Sequence, residues 1–342
     1  MKPNPARPYW ITTLLLALGL VLSVAVGSVF LSPAMLWDAL RSRLGGLDLG
    51  PEVRTAAAIL LDLRLPRTLL VALTGAALSG SGAAYQGLFR NPLADPYLIG
   101  VASGAGLGAV AAMSLRWPYT TIGLLAIPMA AFGGAVLSVL IVYQLARVGK
   151  AIPASNLILA GVAISSLATA LTSFLMLSGE GEVRRALVWM LGGASMSGWG
   201  PVLGVLPYVG IGLTVLILTG HALNVLQVGD EQARQLGLPV ERARRIILAA
   251  ASLTTAAAVA FSGIIGFVGL IVPHIIRLIW GGDYRRLLPL AMIGGAALLL
   301  FADIVARVLL APQEVPLGII TALLGAPFFL WVLRRSRQQN LW

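Results

Sequence analysis

Few side chains here could make or break a bond. The chain has 342 residues, two histidines and no cysteine. His221 and His274 lie far apart, and neither has a partner at ligand spacing, so a metal site is not expected. Without thiols there is no disulfide, thiolate metal site or thiol redox chemistry. A nucleotide-binding loop needs a glycine-rich run ending in Gly-Lys-Ser/Thr. The nearest stretch, Gly149-Lys150, is followed by Ala151, and Gln144 stands where the first glycine would be. Ser165 and Ser166 have no base nearby in sequence, which disfavours an intramembrane hydrolase. Asp303 and Arg307 are four apart, a spacing at which opposite charges on a helix pair with each other. The patterned charges are in Gly229-Asp-Glu-Gln-Ala-Arg234-Gln-Leu-Gly237-Leu-Pro239-Val-Glu-Arg242-Ala-Arg-Arg245. Asp230 and Glu231 suit a helix N-terminal dipole. Gly237 is a natural helix stop, and Pro239 suits the start of a second short helix. The segment at about 228–245 is therefore expected to form a compact knob of two stub helices, suited to being gripped by another protein. No enzymatic activity and no resident cofactor are expected in this chain.

The elements that carry this knob are apolar. Hydrophobic residues make up 58% and charged residues 11% of the chain, against about 25% charged in soluble domains. The mean hydropathy is +0.91. Charge-free runs recur at Pro8–Trp37, Thr68–Phe89, Pro96–Leu115, Trp117–Ala146, Ala151–Gly179, Ala186–Gly229, Ile246–Ile276, Leu287–Ala302 and Val315–Leu333. A bilayer core needs about 20 apolar residues per helix. The first run is about twice the length of a signal-peptide apolar region and reads as a retained span. Ala186–Gly229 reads as a short interfacial or re-entrant piece over Trp189–Pro201, then one span from about Val202 to Leu226. Ile246–Ile276 is interrupted by Gly263, Gly266, Gly269 and Pro273. It reads as a span ending near Phe261 and a short helix around Leu270–Trp280. Such breaks are tolerated at membrane depth only where protein buries them or they line a cavity. The expected fold is an all-α polytopic membrane protein of about ten transmembrane helices, with short broken or re-entrant helices, in one transmembrane domain over 1–342.

Ten spans with a cytoplasmic N-terminus place 15 Lys/Arg inside and nine outside, and five acids inside and eight outside. The net charge of +11 then divides into +10 inside and +1 outside, as the positive-inside rule requires. Nine or eleven spans would put Arg334, Arg335 and Arg337 outside. The basic excess is that of a membrane face, so no nucleic-acid partner is needed.

Several segments resemble one family: the permease subunits of type II ATP-binding-cassette importers for iron chelates, haem and cobalamin, the FecCD/BtuC-like family. They are Arg64-Leu-Pro-Arg67, Tyr85-Gln-Gly-Leu-Phe-Arg-Asn-Pro-Leu-Ala-Asp-Pro96, Leu159-Ala-Gly-Val-Ala163, Asp230 to Gly237, Gly266-Phe-Val-Gly-Leu-Ile-Val-Pro-His274, Ala302-Asp-Ile-Val-Ala-Arg307 and Val315-Pro-Leu-Gly-Ile-Ile-Thr-Ala-Leu-Leu-Gly-Ala-Pro327. They run in order over nearly the whole chain. The resemblance implies a homodimer with two ATPase subunits, which carry the ATP and magnesium, and an extracytoplasmic solute-binding protein. It implies a bacterial inner-membrane location with both termini cytoplasmic. Arg64, Arg67 and Arg307 match arginines that dock the binding protein. Asn91 and Leu93, with Ala154 and Ser155, match a cytoplasmic gate. Asp230, Glu231, Arg234, Leu236, Gly237, Leu238 and Pro239 match the segment that couples to the ATPase. The cargo expected is a metal chelate, a ferric siderophore ahead of haem or cobalamin. The competing reading is a passive channel or ion-coupled carrier, which would normally bury a charge on its path.

Overall fold

In a computed structural model, the described residues are 6–27, 32, 34–35, 37–39, 41, 50–115, 121–149, 152–178, 183–193 and 198–339. Lys2, Arg43, Arg116 and Lys150, counted in the charge division, lie outside them, as do 194–197 of the expected interfacial piece.

The described residues are helical, with no strand among them. The helices are α1 (Arg7–Ala25), α2 (Pro51–Ala58), α3 (Leu65–Leu88), α4 (Val101–Ser114), α5 (Thr121–Ala146), α6 (Ala154–Ser178), α7 (Val183–Met190), α8 (Trp199–Leu218), α9 (Gly220–Leu226), α10 (Asp230–Gln235), α11 (Val240–Ser262), α12 (Val268–Trp280), α13 (Tyr284–Val308) and α14 (Leu317–Gln339). A π turn, Ile59–Arg64, runs into α3, and a 3-10 turn, Pro96–Ile99, precedes α4. Six helices, α1, α5, α6, α8, α11 and α13, are long and apolar enough to cross a membrane, and three shorter apolar helices lie in α4, α12 and α14. With α3 these make the ten expected. The protein is a multi-pass membrane protein.

Helix α3 is the axis of the bundle. Its 24 residues span about 36 Å at 1.5 Å per residue. From Ala77 to Leu88 every residue is buried, with α8, α11, α12 and α13 packed around it. A helix sheathed by protein has no need of lipid-grade apolarity, and small residues let neighbouring backbones approach. That accounts for its Gly80-Ser81-Gly82-Ala83-Ala84 stretch. A Cβ on Gly82 would overlap the carbonyl of Gly269 in α12. The outer helices are different: only 17% of the α1 span and 22% of the α6 span are buried, against 67% for α11 and 61% for α13.

Three sequence expectations change in detail. Pro239 starts no second stub, because the helix it precedes runs unbroken as α11 to Ser262. The span expected over Val202–Leu226 begins at Trp199 and breaks at Thr219, giving α8 and the short α9. Pro96–Leu115 opens with a 3-10 turn, so α4 has only 14 residues. The expected break after Phe261 is present: α11 ends at Ser262 and α12 starts at Val268.

Because α3 and α12 touch backbone to backbone at Gly82, Gly82→Val is expected to destabilise the fold by at least about 1–3 kcal/mol, the usual cost of overpacking. Gly133→Ala, on α5 with nothing within 4 Å of the added Cβ, is expected to be silent. Thermal melting of both variants in detergent checks this; equal midpoints would contradict the packing.

Candidate functional site

The polar residues sort to the two ends of α3. At one end, Arg64, Arg67 and Arg307 meet the end of α1. The last carbonyls of a helix have no intrahelical donor, and α1 has no basic residue in its last turn. Two distant arginines supply the donors instead. Arg64 Nη1 donates to Val24 O and Ala25 O, both at 3.0 Å. Arg307 donates to Ser23 O, Ser23 Oγ and Val26 O, each at 3.0 Å. Asp303, fully buried, joins Arg307 Nε at 2.9 Å and Arg67 Nη2 at 2.9 Å. The i,i+4 pair read from sequence is thus half of a triad. Arg67 also contacts Glu314 Oε2 through Nη1 at 2.7 Å. Of the three arginines assigned to docking, Arg64 and Arg307 are buried and the Arg67 side chain is 17% exposed. Their guanidinium groups are engaged within the chain. Sequence reasoning missed Glu314 and Ser23, whose partners are hundreds of residues away.

At the opposite end lies the corner after α3. Arg90 takes a left-handed φ of +50°, uncommon for a residue with a side chain. Asn91 N–H donates to Gln86 O at 3.1 Å, so the helix closes in a Schellman turn. Asn91 Oδ1 accepts from Leu93 N–H at 2.9 Å, and Asp95 Oδ1 from Tyr97 N–H at 2.8 Å. Each proline keeps the residue before it out of the helix region; Asp95 is extended at φ −115°, ψ 145°. The corner is therefore rigid.

Asp230, the first residue of α10, ties this corner to the rest of the end. Its Oδ1 accepts from Arg90 Nη2 at 3.1 Å and its Oδ2 from Arg244 Nη2 at 2.9 Å. Arg244 Nη1 in turn donates to Ile152 O at 3.3 Å, two residues before α6. Two segments distant in sequence, one leading to Asn91 and Leu93 and one to Ala154 and Ser155, are thus joined through one carboxylate. Beyond Asp230, Glu231, Arg234, Leu236, Gly237 and Pro239 are exposed and Leu238 is half-buried. Leu236 is 70% exposed, which is an unusual position for a leucine in a charged knob. Gly237 has φ +85°, the left-handed stop expected of it. Arg234 pairs with Glu241 at 3.3 Å.

Next to the corner, Asp95, Tyr97 and Leu98 face Ser165, Ser166 and Thr169 of α6 across an open cavity of about 700 Å³. Ser165 accepts a hydrogen bond from Ser103 at 3.1 Å. The serines that had no base in sequence have a carboxyl across this cavity. Burial raises the Asp95 carboxyl from 3.8 to about 6, against the lowering effect of the Tyr97 N–H. The Asp283 carboxyl, N-cap of α13, is held below its ordinary value, first by a hydrogen bond from Asn224.

The FecCD transport family matches residues 15–335. The cobalamin import system permease protein BtuC of Halobacterium salinarum is 48% identical over 280 residues, covering 82% of this chain and 74% of that protein. The hemin transport system permease protein HmuU of Yersinia pestis is 43% identical, covering 82% and 85%. The vitamin B12 import system permease protein BtuC of Escherichia coli is 39% identical, covering 95% and 94%. A solved structure, described as an inward-facing conformation of a transporter assigned to the metal-chelate ABC type, superposes with a TM-score of 0.84 at 30% identity, covering 97% of this chain and all of that one.

A raised carboxyl pKa means that the folded chain holds a proton between pH 3.8 and about 6 that the unfolded chain has released. The Asp95 contribution to stability is therefore largest below that window and falls as pH rises through it. Asp95→Asn keeps an oxygen for the Tyr97 N–H and is expected to flatten the melting temperature against pH between about 4 and 6. Melts of parent and variant over that range check it, and parallel curves would contradict it.

Proposed function

The chain belongs to the FecCD transport family, a permease of ABC importer type, and from that premise we propose that it moves a metal chelate inward through a path driven by separate ATPase subunits. The observation that carries this reading is the Asp230 bridge. It links the exposed α10 knob to Arg90 and, through Arg244, to the carbonyl before α6. An ATPase that grips the knob at Leu236, Gly237 and Pro239 would pull on both gate segments at once. Asn91, Leu93, Ala154 and Ser155 then change state together.

Two copies enclose the path, with α6 and α14 as its walls. Both present apolar side chains outward, including Leu159 at 72%, Phe174 at 65% and Leu323 at 66% exposure. The cavity at Asp95 and Ser165 opens onto α6. The cargo is a bulky metal chelate. A corrinoid or haem ranks ahead of a ferric siderophore, because the named relatives carry cobalamin or hemin in their names. The knob end faces the cytoplasm of the inner membrane, and the arginine end receives the loaded binding protein. Arg67 offers the most exposed of the three guanidinium groups, and Glu314 already occupies its Nη1. A carboxylate from the binding protein would compete with Glu314 for it.

Proteoliposomes with the ATPase and binding protein, offered cobalamin, haemin or a ferric siderophore in turn, test the reading. Uptake is expected only with ATP and both partners; equal uptake by the permease alone would support a passive carrier instead. Asp230→Asn is expected to cut uptake per ATP hydrolysed by about fivefold, the order of one partly exposed ion pair. An unchanged ratio would remove the Asp230 bridge from the mechanism. At the other end, Arg67→Glu is expected to weaken docking and Glu314→Gln to tighten it by about two- to fivefold. Surface-plasmon titration of the binding protein reads both, and no change in either would exclude docking at Arg67.

A further inference from the structure

A second recess lies outside the path and runs away from the knob end. It is a groove of about 300 Å³ between α5 and α11. Val136, Leu140 and Tyr143 form one wall, and Arg245, Ala249 and Leu253 belong to the other. Leu140 is 53% and Leu253 44% exposed, so the groove opens on the outside of the bundle. Ala249 contributes only a methyl group to its wall. At 1.5 Å per residue, the walls run for about 10–12 Å along the membrane normal. Ser252 also lines it, but its Oγ is engaged with Tyr85 and the Leu248 carbonyl, so a groove of this shape, apolar apart from Arg245 at one end, suits a hydrocarbon chain with a polar head.

The polar end decides which head. Arg245 Nε donates to Glu241 O at 3.3 Å, which uses one of five guanidinium donors. Arg242, one turn earlier on α11, has no polar partner among the described residues. Of the acids nearby, Asp230 pairs with Arg90 and Arg244, and Glu241 pairs through Oε1 with Arg234 and Arg244. Arg245 thus lines the groove's polar end, Arg242 precedes it by one turn on the same helix, and neither has an ion pair among the described residues. Tyr143 sits beside them, an amphipathic ring of the kind found at membrane interfaces. We propose that this groove is a binding site for an anionic phospholipid, with one acyl chain between α5 and α11 and its phosphate on Arg245 and Arg242. Guanidinium groups suit phosphate oxygens in paired, planar contacts. The site is next to α10, on the helix that begins directly after the knob, so a bound lipid would brace the base of α11.

The proposal stands apart from the transport reading, because it needs only the purified permease. Phosphatidylglycerol and phosphatidylcholine of identical acyl chains are titrated onto the delipidated protein and counted by native mass spectrometry. The expected result is one phosphatidylglycerol retained at concentrations where phosphatidylcholine is lost. Arg245→Gln and Arg242→Gln are each expected to weaken its retention about fivefold, as for one basic residue near a membrane surface. Ala249→Phe, which fills the groove, is expected to abolish the retained lipid; Ala249→Ser, with nearly the parent volume, preserves it and shows that the position tolerates change. Equal retention of the two lipids, or retention unchanged by both arginine substitutions, would overturn the headgroup site. Retention unchanged by Ala249→Phe would overturn the groove.

Discussion

An unwound peptide inside an apolar bundle has to find its hydrogen-bond partners in the protein, and the peptide of Ile265 finds both in one phenol. Tyr97 Oη donates to Ile265 O at 2.9 Å and accepts from Ile265 N–H at 3.3 Å. Around it, Gly193 N–H donates to Ser262 O at 2.7 Å and Ser262 Oγ to Gly263 O at 3.1 Å. The break between α11 and α12 is possible because these groups close it. Tyr97 belongs to the rigid corner after α3, so the corner and the break hold each other in place. Phe267, at φ +69°, shows how tightly the chain is bent there. Without this break, α12 could not pack against the middle of α3, where Gly82 admits the Gly269 carbonyl.

The same accounting explains the arginine end. Four carbonyls at the end of α1 are satisfied by Arg64 and Arg307, and the charges of Arg307 and Arg67 are met by a fully buried Asp303 together with Glu314. These arginines hold helices together whatever else they contact. A role in docking, which the family resemblance assigns to them, would be carried by groups that also cap a helix. Removing one partner from a buried charge cluster typically costs about 3–5 kcal/mol, so a loss of docking after Arg307 substitution would not by itself distinguish contact from support. Glu314 and the outer edge of Arg67 are where the two roles separate.

Much of this was legible in the sequence. Charge-free runs gave ten spans because charged residues are excluded from lipid, and that signal does not depend on hydropathy. It therefore recovered α3, whose glycines and serines keep it out of the six long apolar helices. Gly263, Gly266 and Pro273 announced the break after α11. The stop at Gly237 was legible because a left-handed residue has a local signature. The length of the helix after Pro239 is not legible, since a proline marks a helix beginning and carries no information about where it ends. The triad at Asp303, the Asp230 bridge and the Tyr97–Ile265 pair were not legible. Each depends on residues brought together from 14 to 236 positions apart, for which local patterning has no term.

The two polar ends differ in a way that bears on how such a bundle can move. At the arginine end the side chains of Asp303 and Arg307 are 0% and 5% exposed. At the knob end Arg90 is 44%, Asp230 31% and Arg234 57% exposed. Buried pairs are costly to open because the separated charges stay out of water. Exposed pairs contribute about 0–1 kcal/mol each, because water replaces the lost partner. The arginine end is therefore a fixed platform, and the knob end is a set of contacts that can exchange at low cost. Asp230 combines both properties: its Arg90 partner is half-exposed, while its Arg244 partner is 9% exposed and also holds the Ile152 carbonyl. A displacement of α10 would open the Arg90 contact first and leave Arg244 in place. Of the two segments joined through Asp230, the corner after α3 is thus held by the more exposed contact and the segment before α6 by the more buried one.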